Sequence, residues 1–204
     1  MAVGEERQAY VGRAVARKED AELLTGQGRY VDDLTLPGML WFALVRSPFA
    51  HARIGSIDTA AASAADGVIA VLTGEDIAEE FAAPLPCAWP VTPEMRNPPH
   101  WPLARDEARY AGDAVVVVVA ESRALAKDAA ELVQVDWEPL PAVTDVEEAL
   151  ADGAPLVHSD LDTNSSYVWE MSAGEVDSVF ADAEVVVSER YRQQRLIPAA
   201  IERS

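Results

Sequence analysis

Three histidines and abundant carboxylates, some of them in adjacent pairs, are the side chains of this 204-residue sequence whose types could support metal binding or acid–base chemistry. The histidines, His51, His100 and His158, lie far apart and have no partner at helical spacing, so a metal site would need three separate elements to converge. The carboxylate pairs, Asp32 with Asp33 and Glu147 with Glu148, are chain neighbours whose side chains diverge. We interpret all of these as structural or surface residues, and the sequence predicts no catalytic, cofactor-binding or metal-binding residue.

The glycine-containing stretch TGQGRY, residues 25–30, resembles a dinucleotide-binding fingerprint only superficially. It has no third glycine, it precedes a predicted strand instead of a helix, and no apolar strand comes before it. The sequence also contains no phosphate-binding lysine loop, no serine nucleophile elbow and no H-E-x-x-H pattern. We therefore interpret these glycines as turn residues.

Composition limits the class of protein. The formal net charge of -19 argues against a nucleic-acid partner, because such binding depends on clustered Lys and Arg. The single cysteine, Cys87, excludes an internal disulfide and any multi-cysteine iron–sulfur site within the sequence. The start, MAVGEERQAY, does not resemble a secretory signal, and no segment reaches the roughly 18 apolar residues of a membrane span. We expect a soluble, cytoplasmic protein without a membrane span.

Apolar runs separated by proline and glycine predict an α+β domain, in which a mixed sheet carries helices on one face. An alanine-rich helix is predicted after a cap at Asp58 or Thr59, running to about Asp66. A second helix is predicted after a cap at Ser122, with its apolar face formed by Leu125, Ala129, Leu132 and Val133. The predicted strands cover residues 28–33, 39–47, 52–58, 67–74, 114–120 and 135–137.

A proline-rich stretch, residues 81–104, is predicted to be an extended loop, because neither a helix nor a central strand tolerates seven prolines. Its Trp89, Trp101 and Cys87 are too apolar for free solvent. The loop therefore lies either against its own domain or against a partner protein, and the sequence does not favour one over the other.

A second unit is predicted after an acidic connector, which contains a helical turn at VEEAL, residues 146–150. An amphipathic helix within residues 174–183 uses Val176, Phe180 and Ala183, and residues 184–195 alternate as a strand. A strand that opens a domain cannot bury its own apolar face. We therefore expect residues 169–204 to be the truncated start of a further domain.

Several long segments of the sequence, taken in order, resemble the amino-terminal part of the large subunit shared by carbon monoxide dehydrogenases, aldehyde oxidases and xanthine dehydrogenases. They are GRAVARKED, LLTGQGRYVDD, PGMLWFALVRSPFAHARIGSID and GVIAVLTGED, all within residues 12–76. The words RYAGDAVVVVVAES, AKDAAELVQVDWEPLPAV and ALADGAPLVH continue the likeness to residue 158. The resemblance covers nearly the whole chain and identifies a molybdenum hydroxylase large subunit.

The resemblance implies an α/β-hammerhead domain at residues 23–145. An N-terminal arm at 1–22 precedes it, and a connector at 146–168 leads to the incomplete start of a molybdopterin-binding domain at 169–204. In the complete subunit it implies hydroxylation at a molybdenum–molybdopterin cofactor in its cytosine dinucleotide form, with [2Fe-2S] clusters and FAD on partner subunits. The family's catalytic glutamate and pterin loops lie beyond Ser204, so Glu202 is not given that role. This segment alone is expected to bind no cofactor and to be inactive.

The function implied by the resemblance is that of a scaffold. We expect the chain to cover one side of the cofactor region and to contact the remainder of the large subunit, the iron–sulfur small subunit and the FAD medium subunit. Residues 81–104 are the candidate contact surface. One alternative is a stand-alone, non-catalytic assembly or interaction module with the same fold. Another is an acidic domain that binds a small molecule in its own pocket.

Overall fold

The chain divides into two compact units. Unit 1 comprises Met1–Pro37 and Val187–Ser204, and unit 2 comprises Gly38–Val186. The structure, a computed structural model, describes residues 10–81, 83–85 and 92–193. Among these residues, none of the helices has the length and apolarity that crossing a bilayer demands.

The described part of unit 1 contains a short helix, α1 (Asp20–Leu24), and a 3-10 helix (Val31–Asp33). The strand predicted at residues 28–33 is therefore wrong. The Asp33 carboxylate accepts a hydrogen bond from the backbone N–H of Tyr30 at 3.0 Å, and the Asp33 N–H donates to the Tyr30 carbonyl at 3.0 Å. This reciprocal pair closes a local turn, so the backbone groups do not need a neighbouring strand.

The strand predicted at residues 184–195 is not formed in its described part, residues 184–193. Alternation of apolar residues is only half of what a strand requires, because its N–H and C=O groups must also bond to a partner strand. Val185 and Val187 are 75% and 76% exposed. Their alternation therefore marks a segment with strand-like sequence whose apolar side is unburied.

The described part of unit 2 has six strands in two sheets. The strands are β1 (Trp41–Arg46), β2 (Ala52–Asp58), β3 (Val68–Thr73), β4 (Glu107–Ala108), β5 (Ala114–Ala120) and β6 (Gln134–Pro139). One sheet has the order β1-β5-β3 and the other β4-β2-β6, and every pair is antiparallel. The predicted α+β class is confirmed, and the strands that the sequence placed in one sheet are divided between two.

Strand β5 is the centre of its sheet because the sequence AVVVVVA suits a strand that is buried on the side of the core. Its register places Val118 opposite Ala43 of β1 on one side and Val71 of β3 on the other. Val116 and Val118 are fully buried. The buried strand predicted at residues 114–120 is confirmed.

Two helices cover one face of this sheet, α2 (Ala60–Ser63) and α3 (Arg123–Ala130). Of the two predicted caps, Thr59 is the N-cap residue but makes no capping bond through its side chain, and the Asp58 carboxylate accepts a hydrogen bond from the N–H of Ala60 at 2.9 Å. Helix α2 is shorter than predicted and is followed by Gly67 at φ 73°. A Cβ at Gly67 would lie 2.6 Å from Cδ1 of Leu125, so both the backbone angle and the space favour glycine.

Helix α3 has the predicted cap but not the whole predicted apolar face. The Ser122 hydroxyl accepts a hydrogen bond from the N–H of Leu125 at 3.2 Å. The residues that α3 buries are Ala126 and Ala129, whereas Leu132 lies past the end of the helix and is 44% exposed. Small alanines at the contact let the helix approach β5 closely, which a leucine side chain would prevent.

Both sheets contribute to a single core in unit 2. Trp137 of β6 and Val133 after α3 pack against it while remaining partly exposed. This core lies between the sheet β1-β5-β3, helix α3 and strand β2. Its buried members are Ile54, Ala104, Val115, Val116, Val118 and Ala129.

The proline-rich loop and the acidic connector bond to each other within unit 2. The described residues between 81 and 104 form no helix or strand beyond an isolated bridge between Leu85 and His100, as predicted. The N–H of Arg96 donates to the Ser166 carbonyl at 2.9 Å, and the Ser166 hydroxyl donates back at 2.8 Å. In the connector, the Asn164 side chain bonds to three backbone groups, and a 3-10 helix (Glu148–Leu150) forms where the helical turn was predicted.

Candidate functional site

A polar cavity of about 540 Å³ lies in unit 2 beside β4. Its walls come from the stretches on both sides of β4, from Asp113 ahead of β5, and from residues 157–160 of the connector. Its volume falls within the range of about 300–1,000 Å³ that small-molecule pockets occupy. The cavity therefore has the size of a small-molecule site, and most of the residues that line it are polar or charged.

Glu107 of β4 is the buried centre of the charged groups around this cavity. Its Oε2 lies 3.5 Å from Nη2 of Arg109 and 3.6 Å from Nε2 of His51, and its side chain is only 11% exposed. His51 is fixed from the other side, since its Nδ1 lies 3.0 Å from the Pro141 carbonyl. One buried carboxylate thus faces a cation two residues along its own segment and an imidazole from a distant one.

Asp113 holds the turn between β4 and β5. Its carboxylate accepts a hydrogen bond from the backbone N–H of Arg109 at 3.1 Å, and its own N–H donates to the Tyr110 carbonyl at 3.1 Å. Gly112 occupies the turn at φ 96°, a backbone angle that favours glycine. Asp113 is buried, and its carboxylate holds the turn that carries Arg109.

His158 reaches the same charged groups from the connector. Burial holds the pKa of His158 below its ordinary value, and the positive charge of Arg109 lowers it further. The negative charges of Asp160 and Glu107 oppose this shift without cancelling it. The cavity therefore favours the neutral imidazole at position 158.

We predict that NMR titration of the His158 ring will give a pKa below the value of about 6.5 for an unperturbed histidine. Because the folded-state pKa is the lower one, the unfolded chain binds the proton first as pH falls through that value, and folding stability decreases with falling pH until the folded-state pKa is passed. His158→Gln is expected to remove this part of the pH dependence. Arg109→Gln removes the nearby cation and is expected to raise the pKa of His158. A pKa at or above the ordinary value in the unaltered chain would contradict the prediction.

Two aromatic contacts line the cavity. The guanidinium carbon of Arg105 lies 4.0 Å from the ring centroid of Trp101, a cation–π arrangement. The rings of His100 and Tyr110 stack with centroids 6.2 Å apart. Trp101 is thus half-buried against its own domain, which is one of the two environments that the sequence left open for the loop.

The three histidines converge more than the sequence suggested. His51 and His158 both interact electrostatically with Glu107 and each other, and His100 lines the same cavity. Among the described residues, no group of three or more His, Cys, Asp or Glu side chains is placed to hold an ion. The interpretation of His51 as a structural residue agrees with its burial and its bond to a backbone carbonyl.

Sequence reasoning missed Glu107, Arg105 and Arg109. A signal for them exists, since residues 105, 107 and 109 alternate with period two through β4 and therefore lie on one side of an extended chain. The strand has only two paired residues, Glu107 and Ala108, so its apolar pattern is too short to reveal it. An alternating Arg-x-Glu-x-Arg pattern ahead of a buried strand is the feature that would have indicated these residues.

The other candidate residues have local structural roles or lie outside the described residues. Asp33 bonds to the backbone of its own turn, and the N–H groups of Glu147 and Glu148 donate to the Asp145 carboxylate. The stretch at residues 25–30 leads into a 3-10 helix, so it is not the strand–glycine–helix arrangement of a dinucleotide site. The candidates outside the described residues are Cys87, Trp89 and Glu202.

The charged groups of the cavity are arranged to fix structure. Glu107 and Asp113, its buried carboxylates, bond to Arg109 through its side chain and its backbone. Glu107 connects β4 to His51, and Asp113 connects the end of the following turn to Arg109. The arrangement therefore stabilises the junction of the two sheets, and no proton-transfer step is assigned to it.

A family model described as the aldehyde oxidase and xanthine dehydrogenase a/b hammerhead domain matches residues 25–141. The chain is 42% identical over 193 residues to the nicotine 6-hydroxylase large subunit of Paenarthrobacter nicotinovorans, and the match covers 94% of this chain and 23% of that protein. The matched residues include all six strands and helices α2 and α3.

The chain is also similar to solved structures, among them the following two. Quinoline 2-oxidoreductase from Pseudomonas putida 86 is 44% identical with a TM-score of 0.72, and the match covers 86% of this chain and 22% of that one. The Cu,Mo-CO dehydrogenase in its carbon monoxide reduced state is 38% identical with a TM-score of 0.67, covering 85% and 23%. The chain thus spans about a quarter of the length of each of these three proteins.

Proposed function

The chain belongs to the aldehyde oxidase and xanthine dehydrogenase family through its α/β-hammerhead domain, and we propose that it is the amino-terminal portion of the large subunit of a molybdopterin-dependent hydroxylase or dehydrogenase. Its relatives are large subunits of molybdenum hydroxylases. The reaction of the complete enzyme is of the type that oxidises an aldehyde, a purine or carbon monoxide. The part played by this chain is to scaffold the cofactor region and to contact the partner subunits.

The observation that carries this proposal is the exposed apolar segment after the connector. Every residue from 166 to 186 is exposed, although the segment contains Met171 at 79% exposure and helix α4 (Val176–Ala181). In α4, Val176, Val179 and Phe180 share one face at helical spacing and are 47%, 67% and 58% exposed. An apolar helix face of this kind needs a covering surface. About three quarters of the relative's length lies outside the match, and polypeptide of that part could supply the cover.

The proposed division of the chain follows the same reasoning. We place an N-terminal arm at residues 1–22, the hammerhead domain at 23–145, a connector at 146–168 and the opening of a molybdopterin-binding domain at 169–204. The family match over residues 25–141 supports the second of these, and the exposure of α4 supports the last. A cytoplasmic location is part of the proposal.

The proposed cofactor belongs to the complete enzyme. It is molybdenum–molybdopterin in its cytosine dinucleotide form, with [2Fe-2S] clusters on a small subunit and FAD on a medium subunit. We propose that the residues that hold the pterin belong to the rest of the large subunit. No catalytic step is therefore derived for residues of this chain.

The proposal is tested by recovering the protein from its own host through a tag at the amino terminus. We expect a polypeptide of about four times the 22.0 kDa of this chain, because the chain spans 23% of its relative. Metal analysis is expected to find molybdenum and iron, and absorbance to find flavin, with two smaller subunits co-purifying.

The matched control is the 204-residue chain produced alone, which is expected to contain no molybdenum and to reduce no dye with aldehyde, purine or carbon monoxide. Recovery of a tagged 22.0 kDa polypeptide without partners or molybdenum would overturn the proposal. So would turnover of any of these substrates by the 204-residue chain.

A further inference from the structure

The sheet β1-β5-β3 has a second face, which is apolar and lies on the side away from α3. The register builds it from two cross-strand rows. In one row Val119 lies between Phe42 and Ala70, and in the other Val117 lies between Leu44 and Leu72. We call these six residues together with Ile69 the outer sheet face.

Ile69 joins this face through a bulge in β3. Val68 pairs with Ala120 and Ala70 with Val119, so Ile69 is an extra residue between two successive pairs on β5. Val68 and Val71 pack on the core, whereas Ile69 is 55% exposed. The bulge therefore adds an isoleucine to the exposed apolar side.

The two faces of the sheet differ in their cover. On the inner face Val116 and Val118 are fully buried, because α3 packs over them with Ala129. On the outer face Phe42 is 66% exposed, and Val117 and Val119 of the central strand remain half-buried. None of the seven residues is charged, in a chain where 25% of residues are.

We propose that the outer sheet face is the docking surface for an apolar element of the remaining large-subunit polypeptide. This inference rests on the proposed function. A face without a single charged or polar side chain has the character of a domain core or an obligate contact, whereas interfaces that exchange in solution mix polar and apolar residues. The polypeptide that makes up the rest of the relatives' length is tethered to this chain, so it reaches the face at a high effective concentration.

The test compares thiol labelling at the face in three forms of the protein, each carrying Cys87→Ser and Phe42→Cys. The forms are the 204-residue chain, the large subunit alone and the complete enzyme, with labelling followed by mass spectrometry of the peptide that contains residue 42. We expect labelling in the large subunit alone to be about tenfold slower or more than in the 204-residue chain, because protection follows burial. Ile69→Cys serves as a second reporter on the same face should Phe42→Cys fail to fold.

The matched control is Ser56→Cys, an exposed position on β2 in the other sheet, whose labelling is expected to change less than about twofold between the forms. Three outcomes overturn the inference. Protection that appears only when the other subunits are added assigns the face to another subunit. Protection of the 204-residue chain that rises with its concentration assigns it to a second copy. Equal labelling in all forms leaves the face open to solvent. Failure of the proposed function is recognised separately, because it appears as the absence of a longer native polypeptide.

Discussion

The chain with Glu107 replaced by alanine is expected to lose about 2–4 kcal/mol of its free energy of unfolding, measured by urea denaturation. Removing one partner of a fully buried ion pair costs about 3–5 kcal/mol, because the other charge stays buried without compensation. Here the cost is somewhat lower, since the Arg109 side chain is 30% exposed and can regain water. His51, whose side chain is 9% exposed, cannot regain it without moving. Glu107→Gln keeps the size and is expected to cost less than the alanine substitution.

The control for this prediction is a shorter but exposed ion pair in the neighbouring strands. Nη1 of Arg53 on β2 lies 2.7 Å from Oε2 of Glu138 on β6, and the two side chains are 52% and 64% exposed. Glu138→Gln is expected to cost less than about 1 kcal/mol, because solvent screens an exposed pair. A larger loss for Glu138→Gln than for Glu107→Ala would show that distance, and not burial, decides the contribution of these carboxylates.

Five of the six described strands, all except β4, could be predicted because their information is local. The sequence AVVVVVA gives β5, and Asp58 and Ser122 give the starts of α2 and α3, since a cap bonds to backbone groups two or three residues away. The prediction of a strand at residues 28–33 is wrong because a local hydrogen bond there was not recognised. Asp33 supplies a local bond that competes with strand pairing, and apolar alternation does not report this competition.

The cavity could not be predicted because its contacts are distant in sequence. Glu107 and His51, which is 56 residues away in sequence, form an ion pair at 3.6 Å, and Glu107 lines the same cavity as His158, 51 residues later, so no neighbour in sequence signals these groups. The division into two sheets is equally non-local. Residues 52–58 follow β1 directly but pair with β4 and β6, and nothing in their own sequence states that choice.

The outer sheet face is the feature in which sequence and structure are most informative together. The valine run of β5 gives the strand valines on both faces, a composition typical of sheets that other elements cover on each face. The structure covers only one side, with Val118 fully buried and Val119 half-buried. The excess of valine on the outer side is thus explained when a further element covers it.

This difference between neighbouring residues gives the second large prediction. Val118→Ala is expected to reduce the free energy of unfolding of the 204-residue chain by about 2–3 kcal/mol, because it removes two buried methyl groups and leaves a cavity beside α3. Val119→Ala removes the same atoms from the half-buried face and is expected to cost less than about 1 kcal/mol. Both substitutions lower strand propensity equally, so the difference between them reports burial alone. Urea unfolding followed by tryptophan fluorescence measures it, since Trp137 packs on this core.

The same pair in the large subunit turns the comparison into a measurement of cover. If a segment of the longer polypeptide packs on the outer sheet face, Val119→Ala leaves a cavity under that segment. The loss of unfolding free energy that it causes then increases by about 1–2 kcal/mol and approaches the loss caused by Val118→Ala. The effect of Val118→Ala stays the same, because α3 already covers it in the 204-residue chain. Equal losses from both substitutions in the 204-residue chain would mean that the outer face is already covered there. A larger loss of unfolding free energy for Val118→Ala than for Val119→Ala in the 204-residue chain, and a smaller difference between the two in the large subunit, is therefore the result expected if a further element covers the outer sheet face.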